Sequence, residues 1–238
     1  MKRVMSSAVV LVALIVFSFT GLLAYEGGVV KGGGTISGVV KFKGKAPAPK
    51  KLKITKDKKV CAKTAKSDPS LVVSGGKLVN AVVFITDIKK GKKMEPQKVT
   101  LDQNGCEYHP HVLAFLAGST IEILNPDGVL HNVHSYSKVN KSFNRAQPKF
   151  KKKLKVKIDK PEIISVKCDV HGWMSGWFFV AENPYFYVTD KSGSFKLTDV
   201  PPGTYNVEVW HETLGKVSRK VTVKAKKEVK VTFELAKK

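Results

Sequence analysis

Short runs rich in Val, Ile and aromatic residues recur along the chain, and Gly, Pro, Asn and Asp separate them. Ile36 to Phe42, Ala81 to Thr86, Thr120 to Leu124, Ile163 to Val166, Trp177 to Val180, Tyr205 to Val209 and Val229 to Leu235 each read as a strand. Phe150 to Ile158 alternates lysine with apolar residues. That is the period of a half-buried strand whose charged outer face resists edge-to-edge association. Beyond the first 24 residues no window sustains a 3.6-residue period over helical length. The pattern predicts an all-β chain built from sandwiches.

Three regions differ in texture. Residues 25–33 are Gly-rich and read as a flexible linker. Residues 98–182 hold five of the six His, two of the three Cys and two of the three Trp, so the chemistry is concentrated there. After Pro184 the chain becomes turn-rich: Asp190-Lys191-Ser192-Gly193 predicts a tight hairpin and Pro201-Pro202-Gly203 a rigid second turn.

Composition then narrows the setting. An apolar fraction of 42% over 238 residues supports a buried core and excludes a wholly disordered chain. No segment outside the N-terminus is long and apolar enough to span a bilayer, so a multi-span membrane domain is not expected. Lys2 and Arg3 precede a 17-residue apolar run, Ala8 to Ala24, that ends on a small residue. These are the parts of an export signal over residues 1–24, cleaved after Ala24, with an uncleaved membrane tether as the alternative. The expected location is periplasmic or extracellular. Lysines dominate the net charge of +23. Export makes nucleic acid an improbable partner and points instead to water, an anionic envelope surface or an acidic protein.

The sharpest motif is Cys168-Asp169-Val170-His171-Gly172-Trp173-Met174, with Asn125 to His134 upstream. Together they offer imidazoles, a thiolate and a thioether. A trigonal His2Cys plane with a weak axial Met is the arrangement of a blue-copper electron-transfer site, whereas zinc disfavours a thioether. Of the four Met, one initiates, one lies in the leader and Met94 lies in a polar stretch; only Met174 has the axial spacing.

The stretch from Val99 to Val180 resembles the cupredoxins, similar to plastocyanins and most of all to amicyanin. The likeness runs through Tyr108 and Pro110, Ala117 to Ile123, Asn125, the His131-Asn132 pair, the Cys-His-Met loop and Gly176 to Val180. It implies a Greek-key sandwich over residues 98–182 holding one type 1 copper. His131, Cys168, His171 and Met174 would be the ligands, and Asn132 would tie the His131 segment to the cysteine loop. Gly172 and Trp173 depart from the family, in which a proline commonly follows the histidine. Residues 34–97 and 183–238 resemble the two halves of a carboxypeptidase regulatory-like module, a smaller prealbumin-like sandwich. The matching pieces are Gly34 to Gly44, Asn80 to Ile85, Thr189 to Phe195 and Leu197 to Tyr205. An insertion of the copper domain into a split module is the expected order, with a tandem as the alternative.

The remaining residues follow from this frame. Cys61 and Cys106 are expected to form a disulfide that fastens the two domains and leaves Cys168 as a free thiolate; the sequence alone also permits pairings with Cys168. His134, on the strand of His131, is read as sharing its face and competing with it. His111 and His134 are accessory candidates, while His109 and His211 are expected to be non-ligands.

The first functional expectation is an exported carrier of single electrons, not an enzyme. His171 would present an exposed edge, with Gly172, Trp173 and Trp177 as an apolar docking patch. Lysines would steer an acidic redox protein such as a cytochrome or oxidase. Copper storage or delivery, and a structural or glycan-binding envelope role, are the alternatives.

Overall fold

The computed structural model describes residues 25–237, so the expected leader and its cleavage point lie outside the described residues. Among those described, the only helix is one turn, Lys58–Cys61; every other regular element is a strand. No helix among them is long and apolar enough to cross a membrane. The chain is all-β, as the alternating apolar runs predict.

Two sandwiches share the work. The flanking sandwich stacks two sheets. In one, Phe186–Val188, Val82–Ile85, Gly203–His211 and Gly215–Val223 lie side by side. In the other, Gly34–Phe42 is held between Ser194–Val200 and the parallel Glu228–Leu235. The parallel pairing brings the backbones close: a Cβ on Gly38 would fall 1.7 Å from the Val231 carbonyl oxygen. Its core includes Ile36, Val40, Leu78, Val83, Ile85, Tyr185, Val207, Val209 and Phe233.

The second sandwich is contained within residues 98–181. One sheet orders Asn144–Gln147, His131–Tyr136, Glu162–Lys167, Ser175–Ala181 and Val112–Leu116; the other orders Lys153–Lys157, Thr120–Leu124 and Lys98–Asp102. Leu101, Phe115, Ile121, Ile123, Val133, Ile164, Val166 and Phe178 fill the space between them. Lys153–Lys157 is an edge strand with its lysines exposed and Leu154 and Val156 half-buried. Strands from both sides of this segment, Gly34–Phe42 and Ser194–Val200, pair within one sheet of the flanking sandwich.

The two cores meet across a third apolar cluster of Val82, Val112, Leu116, Phe179, Ala181 and Trp210. Phe84 packs on Phe179 with ring centroids 4.8 Å apart, and Trp177 meets Trp210 edge-on at 5.3 Å.

Three local expectations change. The Gly-rich residues 25–33 are not a free linker, because Glu26–Gly28 forms a parallel strand with Lys90–Lys92. Glycine is needed where this segment enters the fold: a Cβ on Gly34 would meet Val223 at 2.5 Å. The Asp190 to Gly193 turn does not close a hairpin. The strands on either side pair with Val82–Ile85 and with Gly34–Phe42, so the turn crosses between sheets. Finally, residues 50–68 leave the flanking sandwich as a strap, closed on itself by Leu52 N–H to Lys66 O at 2.9 Å and Asp68 N–H to Lys50 O at 2.8 Å. Ile54 and Val60 of the strap pack against the core of the second sandwich, and Cys61 is buried in it.

Candidate metal centre

The Cys168 to Met174 loop connects the strands Glu162–Lys167 and Ser175–Ala181, which pair directly. Two backbone bonds close it: Cys168 N–H to Met174 O at 3.1 Å and Met174 N–H to His171 O at 2.8 Å. These bonds fold the loop back on itself, so that Cys168 Sγ comes within 3.8 Å of His171 Nδ1. His131 begins the adjacent strand His131–Tyr136, of which His134 to Tyr136 pair with Glu162–Lys167. Asn132 joins the two segments. Its Oδ1 accepts from Asp169 N–H at 2.8 Å and its Nδ2 donates to Asp169 Oδ2 at 2.9 Å.

All four side chains are buried, with exposures of 0% for His131 and His171, 2% for Cys168 and 1% for Met174. His131 Nδ1 and His171 Nδ1 are 3.0 Å apart, and Cys168 Sγ is 3.8 Å from His171 Nδ1. One donor atom from each of His131, Cys168 and His171 lies within 4.8 Å of the others. A metal held at about 2.0 Å by nitrogen and about 2.3 Å by sulfur in a tetrahedral angle separates such donors by roughly 3.3–3.6 Å. The donor set therefore fits a single ion without a change of fold, and its softness suits copper.

Both imidazoles are turned by carboxylates on their far side. Asp127 Oδ2 lies 2.9 Å from His131 Nε2, and Asp57 Oδ2 lies 2.9 Å from His171 Nε2. Asp127 is itself fixed by the N–H groups of Gly105 and Cys106, each at 2.7 Å. With Nε2–H donated outward, Nδ1 is left free to face the centre. Burial alone would raise the Asp127 carboxyl, but His131 and these amides bring it below its ordinary value. Burial likewise opposes ionisation of the Cys168 thiol; the His131 hydrogen bond, with backbone amides, overrides it and lowers the thiol towards thiolate. His171 is lowered, first by burial and with His131 adding to it, although Asp57 acts against the shift.

The Cys61–Cys106 disulfide is present, with 5.2 Å between Cα atoms and 45 residues of separation, and Cys168 is free. It pins the strap beside the centre. Cys61 Sγ is 3.8 Å from His171 Nε2, and Trp173 Nε1 donates to Cys106 O at 3.1 Å.

Several sequence expectations require correction here. His171 has no exposed edge, because Asp57 and the strap cover Nε2. Trp173 does lie beside His171, 5.0 Å between ring centroids, and Gly172 is exposed. Trp177 belongs to no patch with them: its side chain faces the flanking sandwich, where Nε1 donates to Glu212 at 2.8 Å. His134 does not share the face of His131. Their spacing of three is odd, so strand alternation sends His134 outward to Asp169 and a stacked Tyr136. His111 is buried away from the centre, bonded to Ser175 O at 3.1 Å and to the Glu212 carboxylate. His109 is exposed and contacts Asn104 O at 3.2 Å, and His211 is buried beside Thr213 N–H at 3.2 Å.

Sequence reasoning missed Asp57 and Asp127. Asp127 carried a signal, four residues before His131. Asp57 carried a weaker one, the lone acid among the lysines between residues 43 and 66.

Residues 182–236 match the carboxypeptidase regulatory-like domain. No curated protein matches the chain. Among solved structures the chain is similar to a Cu-containing nitrite reductase from Thermus scotoductus SA-01, with 21% identity over 48% of this chain, 25% of that chain and a TM-score of 0.34. It thus spans only a quarter of that reductase. It is also similar to a purple cupredoxin from Nitrosopumilus maritimus, at 20% identity over 35% of this chain and 99% of that one, TM-score 0.30. A Cu(I) mutant of amicyanin is similar at 20% identity over 35% and 82%, TM-score 0.32.

Proposed function

We propose that the protein is an exported type 1 copper protein that carries single electrons between redox partners of the cell envelope, and that it is not an enzyme. The observation that carries this reading is the convergence of buried donor atoms from His131, His171 and Cys168, with Met174 buried in the same apolar cluster as Cys168. Copper bound there would supply a one-electron couple, Cu(II)/Cu(I).

The chain's own residues suit such a couple. Asn132 and the two loop-closing backbone bonds hold the ligands before any metal arrives. Asp57 and Asp127 fix the imidazole tautomers. A prearranged site resists a change of geometry between oxidation states, which favours fast transfer. Full burial of the donors also opposes metal exchange, and so favours a carrier over a storage or delivery protein. With His171 covered, Trp173 is the aromatic side chain in contact with it that also reaches partial exposure. We assign the electron route to that indole and the exposed Gly172. The partner would be an acidic redox protein, such as a cytochrome or oxidase, drawn in by the lysine-rich surface.

The test is the visible spectrum after stoichiometric Cu(II), beside Cys168→Ser. An intense band near ~600 nm, absent from the variant, is the expected result for thiolate-to-copper charge transfer in a His2Cys plane. A colourless complex would overturn the assignment.

A further inference from the structure

His171 has a sulfur 3.8 Å from each of its ring nitrogens. Cys168 Sγ stands at that distance from Nδ1 on the inner side, and Cys61 Sγ from Nε2 on the outer side. The inner pair belongs to the centre described above. The outer one is not used by it.

Around Nε2 the structure gathers a second set of donors. Cys61 Sγ, Cys106 Sγ and a ring nitrogen of His171 all lie within 4.8 Å of one another. Asp57 Oδ2 reaches the same nitrogen at 2.9 Å. All three ligand residues are buried, at 1% for Cys61 and 0% for Cys106 and His171. An ion bound at about 2.3 Å by sulfur and about 2.0 Å by nitrogen separates the two donors by roughly 3.6 Å, close to the distance observed. The sulfurs are joined in the disulfide, so the set is closed to metal in the oxidised protein.

We propose that Cys61, Cys106 and His171 form a second, outward metal site that opens when the disulfide is reduced, and that it takes Cu(I). Two thiolates and an imidazole make a soft donor set, and soft thiolates select Cu(I). The redox step balances with a dithiol as reductant. The Cys61–Cys106 bond breaks, the reductant closes to its own disulfide, and its two protons pass to the two cysteine sulfurs. Cu(I) then displaces those two thiol protons on binding, and the His171 proton passes from Nε2 to Nδ1, so that Nε2 can hold the ion while Nδ1 cannot hold one in the inner centre. Asp57, carried on the same strap as Cys61, gives up its hydrogen bond to Nε2 and is left beside the ion. The disulfide thereby serves as a gate on a metal site.

This inference goes beyond the electron-carrier reading and stands without it, because its test removes the inner thiolate. Cu(I) uptake is measured on the full chain carrying Cys168→Ser, by competition with a chromophoric Cu(I) chelator. The chain is assayed as the disulfide and again after treatment with a dithiol that is then removed without oxygen. The disulfide form sets the background from His131, Met174 and the surface. Reduction is expected to add one equivalent of Cu(I) per chain, with thiolate-to-Cu(I) absorption in the ultraviolet. The same treatment of a chain that also carries Cys61→Ser and Cys106→Ser is expected to add none. Equal uptake before and after reduction would overturn the proposal, as would an equal gain in the triple variant. Circular dichroism of the reduced metal-free chain accompanies the assay. A chain that loses its strand signal on reduction and does not regain it with Cu(I) would also overturn it, since the site requires the fold.

Discussion

Asp57 Oδ2 lies 2.9 Å from His171 Nε2, although 114 residues separate the two in the chain. The carboxylate arrives on a strap that leaves one sandwich to cover the ligand loop of the other. Its contact closes the side of the imidazole that would otherwise meet solvent. It also fixes which nitrogen faces the Cys168 thiol.

Replacement of that carboxylate tests the contact directly. Asp57→Asn keeps the shape but removes the charge that orients Nε2–H. Partners of this kind are typically worth about 10- to 100-fold in metal affinity. A loss of that size is expected in competition against a chelator. Asp159→Asn, an exposed carboxylate paired with Lys157 at 2.7 Å, is expected to leave affinity unchanged. Equal affinities for the two variants would remove Asp57 from the metal centre.

Asn132 makes a different demand. It is 4% exposed, and its amide satisfies both the N–H and the carboxylate of Asp169. Asn132→Ala takes this partner from the Asp169 N–H, at a cost of about 1 kcal/mol, while the exposed Asp169 carboxylate keeps His134 and Asn144. A lower urea midpoint is expected for the metal-free chain. Weaker metal binding should accompany it, because the tie between the His131 strand and the cysteine loop is gone. An unchanged midpoint would show that water replaces the amide without penalty.

The Glu162 carboxylate accepts hydrogen bonds from Ser137 Oγ and from the N–H groups of Lys138, Val139 and Asn140. Burial acts to raise its pKa, but these bonds outweigh it and bring the value down to about 2. A depressed carboxylate contributes stability that is fully present above its unfolded value and disappears as pH falls through the folded one. The loop from Ser137 to Asn140 should therefore loosen between about pH 4.5 and about pH 2. Amide exchange at Lys138 and Val139, corrected for intrinsic rates, reads this. Glu162→Gln should show the loosened state already at neutral pH, and protection independent of pH in the wild type would refute the assignment.

Gly38 offers a test of the flanking sandwich. Its missing side chain lets Gly34–Phe42 lie against Glu228–Leu235, where a Cβ would come within 1.7 Å of a backbone oxygen. Backbone in a sheet cannot step aside, so Gly38→Ala should destabilise by at least about 1–3 kcal/mol. The fall in thermal midpoint is expected without a change in the donor distances at the candidate metal centre, which belongs to the other core cluster. A neutral substitution would mean that the two strands are farther apart than described.

The strand runs and the Cys168 to Met174 motif were legible in the sequence because both are local. Alternation marks a strand whatever it packs against, so Thr120 to Leu124 appears in the structure with the same limits. Three of the four soft donors lie within seven residues, and a short loop between paired strands must bring them close. The Gly-rich residues near 30 misled for the complementary reason. Glycine signals freedom in an isolated chain, but here it permits close approach to neighbouring strands. Trp177 takes its role from what lies opposite, Trp210 and Glu212, which no local pattern shows. His134, three residues from His131, is sent to the other face by the alternation of its own strand.

The sequence by itself therefore determined an all-β chain, a carboxypeptidase regulatory-like stretch and the chemical identity of a soft donor set. Only the tertiary structure decided the accessibility of that set. The strap, Asp57, the Cys61–Cys106 disulfide and the Trp210 interface join positions far apart in the chain. Their contacts come from how two cores pack, and no local periodicity encodes them.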